Sequence, residues 1–242
     1  MAASLPPAPP SPPAMPPGPQ PPPPPPAAQP APLPWEQPGF PAVEGLYETA
    51  KLFLLNPSAA FARMSIAGDL WRPLLFAVIL GWVGLAVSQV WGIVFRSVIE
   101  GFLASLPDYH PDASFVFGTV FSVILIAIAP ILTLLLVFIW SVIVHLLLLI
   151  FGGATRSFTV TVRVVCYGTT TQLFQVVPLL GGPIAFVWAR VLEIIGLARA
   201  HGTSAGKSAP AVLVPIALCC VCCVCAFVAA IMGIISLASL GR

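Results

Sequence analysis

From residue 115 to residue 151 the chain runs for 37 residues without one Asp, Glu, Lys or Arg. A helix on a soluble protein needs a polar face, and a helix built from this run has none. About 20 apolar residues already suffice to cross the hydrocarbon core of a bilayer. Four further apolar runs follow Arg72, over 73–95, 158–177, 183–198 and 211–240, and the first of them is bracketed by Arg72 and Arg96. Composition agrees: 58% of the 242 residues are hydrophobic and 7% are charged, against roughly 25% charged in an ordinary soluble domain. So few charges cannot cover a water-facing surface. A soluble enzyme, a secreted disulfide scaffold and a basic nucleic-acid binder are excluded, and no nucleic-acid partner or cofactor is expected. The net charge of +2 selects no partner by its size.

The run over 115–151 admits two readings. As one helix it is about 55 Å long at 1.5 Å per residue, long for a single crossing. Dividing it at Ala129-Pro130 requires a turn in lipid, and no Gly, Asn or Asp is available there to satisfy one. Charge decides between them. One long, proline-kinked helix gives five spans, and a cytoplasmic amino terminus then places Lys51, Arg63, Arg72, Arg156, Arg199 and Lys207 all inside, as the positive-inside rule requires. The loop over 97–114, with Glu100, Asp108 and Asp112, falls outside. The expected fold is all-α: a polytopic membrane helix bundle with five transmembrane helices, its carboxyl end outside, preceded by a disordered proline-rich tail. Membrane lipids are its first partners.

Twenty of the 29 prolines lie within residues 1–41. Proline lacks an N–H and locks φ, so this stretch reads as extended, solvated chain that builds no core. Its PxxP frames also match ligands of aromatic-lined grooves, although polyproline runs generate such frames by chance. The amino terminus lacks the basic and apolar regions of a signal peptide. Residues 42–72 mix Leu46, Tyr47, Phe53, Phe61 and Trp71 with Glu44, Glu48, Lys51, Arg63 and Asp69. They read as short amphipathic helices at the membrane surface or as packed cytoplasmic helices. Asn56-Pro57 supplies an N-cap followed by a first-turn proline. The domain boundaries are therefore set at 1–41, 42–72 and 73–240.

Charges within a span are costly and ask for partners. Arg163 lies near the start of the run over 158–177, and Glu193 near the end of the run over 183–198. Both are expected in the cytoplasmic half, with Glu193 pairing Arg190, Arg163 or both. Arg163, Tyr167, Thr170, Thr171 and Phe174 share one helical face with Gln175 at its margin, and Gln172 falls opposite. Such a stripe packs against other helices or lines a narrow solvated cavity. His145, near the end of the long run, reads as an interfacial or interhelical hydrogen-bonding group. Together Arg163, Tyr167, Arg190, Glu193 and His145 form a candidate intramembrane polar network. Gly84, Ser88 and Gly92, then Ala226 with Ala230 and Ala229 with Gly233, follow a small-xxx-small spacing. That spacing brings helices close within one chain or between two copies, the latter a homo-oligomer.

Cys219, Cys220, Cys222, Cys223 and Cys225 fan out around a helix axis, with no His or carboxylate nearby, and so make no tetrahedral metal site. They read as small apolar packing residues, with lipidation or redox sensing as the alternatives. Two catalytic-looking strings are rejected. Gly202-Thr203-Ser204-Ala205-Gly206 matches a nucleophile elbow, which requires a strand-to-helix turn on a sheet. Gly206-Lys207-Ser208 resembles the end of a phosphate loop, but Gly202 and Gly206 enclose three residues where that loop needs four. No catalytic residue is assigned.

Several short strings together resemble the Yip-type (Ypt-interacting protein) domain over about residues 50–240. They are Asn56-Pro57 with Phe61; Gly68-Asp69-Leu70-Trp71-Arg72-Pro73, similar to that family's D-L-x-G-P entry to the first span; and His145 through Phe151-Gly152-Gly153. Cys166-Tyr167-Gly168 with Pro178 and Gly181, and the stretch from Gly196 through His201 to Ser204, complete the set. The last three resemble the bacterial branch. Arg72 stands where the eukaryotic pattern has glycine. The resemblance implies a five-span membrane domain, a cytoplasmic tail and no catalytic residue. Its eukaryotic members are linked to Rab-type GTPase binding and traffic at the Golgi and endoplasmic reticulum. A bacterial member implies the cytoplasmic membrane. Any role carried over sits in Asp69, Leu70 and Pro73 as partner-binding residues. A small transporter or channel using the polar stripe with Arg163 and Glu193 is the alternative.

Overall fold

The computed structural model describes residues 31–107 and 114–240. The polyproline run, the signal-peptide reading and the acidic Asp108 and Asp112 lie outside the described residues. A 3-10 turn, Pro34–Glu36, leads into helices α1 (Ala42–Leu55) and α2 (Pro57–Arg63), then α3 (Trp71–Leu103) and α4 (Ser114–Ile150). Helix α5 (Phe158–Gly168) continues as a 3-10 segment, Thr169–Val176, and is followed by α6 (Gly181–His201) and α7 (Ala205–Leu240). Asn56 caps α2 through its side chain, which accepts the Ala59 N–H at 3.2 Å, and Pro57 supplies the first-turn φ.

Helices α3 and α4 form an antiparallel hairpin. Near one end the Arg96 guanidinium donates to Ser122 Oγ at 2.7 Å and to the Gly118 carbonyl. Further along, Gly81 faces Thr133. Helix α4 runs unbroken through Pro130; as expected, the chain finds no turn there. At the opposite end α4 closes beside α5, where His145 Nδ1 meets Thr161 Oγ1 at 2.9 Å. Thr161 Oγ1 in turn meets Nε2 of His201, the last residue of α6, at 3.0 Å. Helix α7 starts at this same end, Lys207 donating to the Gly152 carbonyl at 3.0 Å and Ser208 to the Ile194 carbonyl at 3.0 Å. One polar end thus gathers the start of α3, α5 and α7 and the finish of α4 and α6.

Among the described residues four helices are long and apolar enough to cross a membrane: Trp71–Leu103, Phe115–Ile150, Gly181–His201 and Ala205–Met232. The expectation of five is corrected to four. The run over 158–177 has the length but not the conformation. Its α-helix ends after 11 residues, about 16 Å, roughly half a hydrocarbon core. Beyond Gly168 the hydroxyls of Thr169, Thr170 and Thr171 donate to the carbonyls of Cys166, Tyr167 and Gly168, three residues back. Side-chain bonds to nearby backbone compete with the regular helical pattern, and here the chain tightens into 3-10 geometry. Every residue from Val160 to Gly168 is buried. This segment is an interior rod of the protein rather than an apolar, lipid-facing helix.

The small-residue spacing resolves unevenly. A Cβ on Gly84 would lie 2.5 Å from the Gln172 Cβ, so glycine there lets the interior rod lie directly against α3. By contrast Ala226, Ala229 and Ala230 are exposed, as are the five clustered cysteines, all six cysteines being free. Helix α7 touches the bundle through buried Ala211 and Val212 and then presents apolar side chains outward. The five clustered cysteines lie on this outward-facing part of α7. They face the surroundings of α7.

Candidate functional site: the polar end of the bundle

Leu33 and Trp35 are buried at 0% and 8% exposure, because the root of the tail is built into the polar end of the bundle. The Trp35 amide donates to Thr49 Oγ1 at 3.0 Å, and its indole Nε1 to the Arg72 carbonyl at 2.7 Å. Arg72 replies with its guanidinium, donating to the carbonyls of Trp35 at 2.7 Å and Gln37 at 3.3 Å. The residue that departs from the D-L-x-G-P pattern is the one that clasps the tail. Side chains complete the dock: Trp35 meets Phe76 edge-on at 6.1 Å, Phe76 meets Tyr167 at 5.0 Å, and Tyr167 stacks on Phe53 at 4.9 Å.

Next to Trp35, Glu36 reaches the buried charge of α5. Arg163 is 3% exposed and lies 3.5 Å from Glu36 Oε1. The Tyr167 hydroxyl donates to the same oxygen at 2.8 Å, and the Ser65 amide donates to Glu36 Oε2 at 2.9 Å. The second Arg163 nitrogen donates to the carbonyls of Ala67 and Asp69. One carboxylate and two carbonyls thus neutralise and bind an arginine that the interior would otherwise strongly disfavour. Glu193 makes its own arrangement further along, with Arg190 at 2.9 Å and the Trp140 indole at 3.0 Å. The Arg190 guanidinium lies over the Trp140 ring, 4.5 Å from its centre. The predicted network is therefore three separate clusters. Arg163 and Tyr167 belong with Glu36, Arg190 and Glu193 with Trp140, and His145 with Thr161 and His201.

Sequence reasoning missed Glu36, Trp35, Arg72 and His201. A signal for the first two was present: Glu36 is the sole charge in residues 1–41, and Trp35 one of two aromatic residues there. Of the three residues assigned to partner binding, Pro73 is buried in the first turn of α3 and Leu70 is half-buried against the core. Asp69 is exposed, while its backbone carbonyl is held by Arg163. Asp69 and Pro73 line one small cavity with Glu36 and Arg163, and Asp69 is the most exposed of the three.

The sequence model of the Yip1 domain matches residues 51–227. The chain belongs to the Yip1 family. It is a multi-pass integral membrane protein. Among the described residues no group of three or more His, Cys, Asp or Glu is placed to hold a metal ion. No curated protein and no solved structure matches the chain. The Yip1 match begins at residue 51, so Glu36, which neutralises the buried Arg163 of the Yip1 domain, lies outside it. Phe61, Asp69, Arg163, Tyr167 and Glu193 all lie within the Yip1 domain.

Proposed function

We propose that this Yip1-family chain is a scaffold that holds cytoplasmic partners at a membrane, through its proline-rich tail and the exposed surface around Asp69. The observation that carries this reading is the docked tail root. Leu33, Trp35 and Glu36 tie the tail to the membrane domain by buried contacts and a buried ion pair, so whatever binds the tail is held at one fixed point of the bundle. Asp69, whose backbone shares Arg163 with that root, sits beside the exit of the tail. The family resemblance makes a small GTPase the first partner to look for, at the Golgi or endoplasmic reticulum of a eukaryote. In a bacterium the corresponding site is the cytoplasmic membrane.

Photo-crosslinking residues placed at the exposed Ala67 and Ser204 in native cells test this reading, with capture identified by mass spectrometry. A reproducible soluble partner, lost in Asp69→Ala, is expected. Capture of the same partner at the same yield in Asp69→Ala removes Asp69 from the surface, and capture of lipid or self alone ends the recruitment reading.

A transport reading has one observation in its favour, a cavity of about 160 Å³ lined by Trp140, Thr169, Gln172, Arg190 and Glu193. Against it, the neighbouring threonine hydroxyls already bond carbonyls of their own segment, and Glu193 is paired. Flux lost in Glu193→Gln vesicles at an unchanged protein level would favour transport.

A further inference from the structure

Three exposed arginines from distant parts of the sequence converge at the polar end. Arg63 ends α2, Arg156 lies between α4 and α5, and Arg199 is in the last turn of α6. They line one cavity of about 600 Å³, together with Pro32, Met64 and Ile66. That volume is within the roughly 300–1,000 Å³ of small-molecule sites. No carboxylate lines the cavity, and among the described residues none of the three arginines forms an ion pair within 4.0 Å. This differs from the other arginines described above: Arg163 and Arg190 meet carboxylates, while Arg72 and Arg96 meet carbonyls or a hydroxyl. Three like charges around a concave, partly apolar wall repel one another until an anion enters. Guanidinium groups offer paired N–H donors that match phosphate oxygens.

Position selects the source of that phosphate. The cavity opens at the last turn of α6, a candidate span, and beside the segment over 64–67 that leads into α3, another candidate span, which is the level of lipid headgroups. Basic pockets at this depth are suited to anionic headgroups. Ile66, 46% exposed, and Pro32 offer apolar contact to the glycerol region. We propose that Arg63, Arg156 and Arg199 form a binding site for the phosphate headgroup of an anionic membrane lipid.

The test uses the full chain reconstituted in phosphatidylcholine nanodiscs doped with phosphatidylglycerol, with lipids retained after detergent extraction counted by native mass spectrometry. The wild type is expected to retain one phosphatidylglycerol over phosphatidylcholine by on the order of a hundredfold, as three juxtamembrane charges imply. The triple variant Arg63→Gln/Arg156→Gln/Arg199→Gln should lose that preference. Ile66→Glu, which keeps all three arginines and places a carboxylate on the wall, should lose it too, and it keeps the test informative if the triple variant fails to fold. Equal retention of the two lipids by the wild type, or undiminished preference in Ile66→Glu, overturns the proposal. Displacement of the retained lipid by inorganic phosphate at equal concentration also overturns it, in favour of a soluble phosphate compound.

Discussion

Replacing Glu36 by Gln removes one charge and changes the shape of the side chain very little, so its effect isolates the ion pair. In the wild type, Oε1 serves Arg163 at 3.5 Å and Tyr167 at 2.8 Å, and Oε2 accepts the Ser65 N–H at 2.9 Å. An amide carries one acceptor oxygen. Whichever way it is turned, its NH2 confronts either the Ser65 N–H or the Arg163 guanidinium, a donor against a donor. Breaking a buried pair from one side costs about 3–5 kcal/mol. Arg163 keeps the carbonyls of Ala67 and Asp69 and its separation from Glu36 is long, so the low end, about 3 kcal/mol, is expected. The measurement is unfolding of the full chain in bicelles, with tryptophan emission as the signal and chymotrypsin cleavage near Trp35 as a second reading. Glu36→Gln should unfold earlier and expose Trp35 to cleavage in the folded protein. Adding Arg163→Met should restore on the order of 2 kcal/mol relative to the sum of the single changes, since the two sites are in contact. Stability within about 0.5 kcal/mol of wild type, the scatter of an inconsequential substitution, with Trp35 still protected, would refute the buried-pair argument.

Two further outcomes follow from the packing. A Cβ on Gly196 would stand 2.5 Å from Phe61 Cζ and 2.6 Å from Val164 Cγ1, so Gly196→Val should destabilise by about 1–3 kcal/mol through overpacking and speed tryptic cleavage after Arg63; an unchanged digestion rate would show that α2 is not seated on α6. Changing all five residues of the Cys219–Cys225 cluster to Ala should leave the unfolding midpoint where it is, because these thiols are exposed and free; a marked fall in the midpoint measured in bicelles would mean that α7 uses them in a contact between copies.

The sequence exposed the membrane class and the long unbroken α4, because charge is absent over runs that no soluble helix tolerates and because Pro130 offers no partner for a turn. It also exposed that Arg163 and Glu193 must be satisfied, since a charge in a helix bundle demands a partner wherever that partner is. It could not say which partner. Glu36 is 127 residues from Arg163 and sits in a tract whose composition argues against any core, so periodicity, which reads neighbours three and four residues apart, does not reach it. The five-span count failed for a related reason. Counting apolar residues treats Thr169, Thr170 and Thr171 as tolerable in a span, whereas their hydroxyls turn back on their own carbonyls and end the α-helix. Asp69, Leu70 and Pro73 are close enough in sequence to suggest one surface, but their spacing does not say how deep each lies: Asp69 is exposed, Leu70 half-buried and Pro73 buried.

The docked tail root also fixes an order of events during synthesis. Glu36 leaves the ribosome 127 residues before Arg163, which at about 5–20 residues per second is on the order of ten seconds. Throughout that interval Trp35 can meet Thr49, Arg72 and Phe76, but Glu36 has no arginine to pair with, because Arg163, Tyr167 and the rest of α5 do not yet exist. Glu36 is made early and paired late. A nascent chain of this protein therefore carries an unpaired acidic side chain ahead of its first span until α5 is in place, and the polar end is complete only when His201 and Ser208 have joined it.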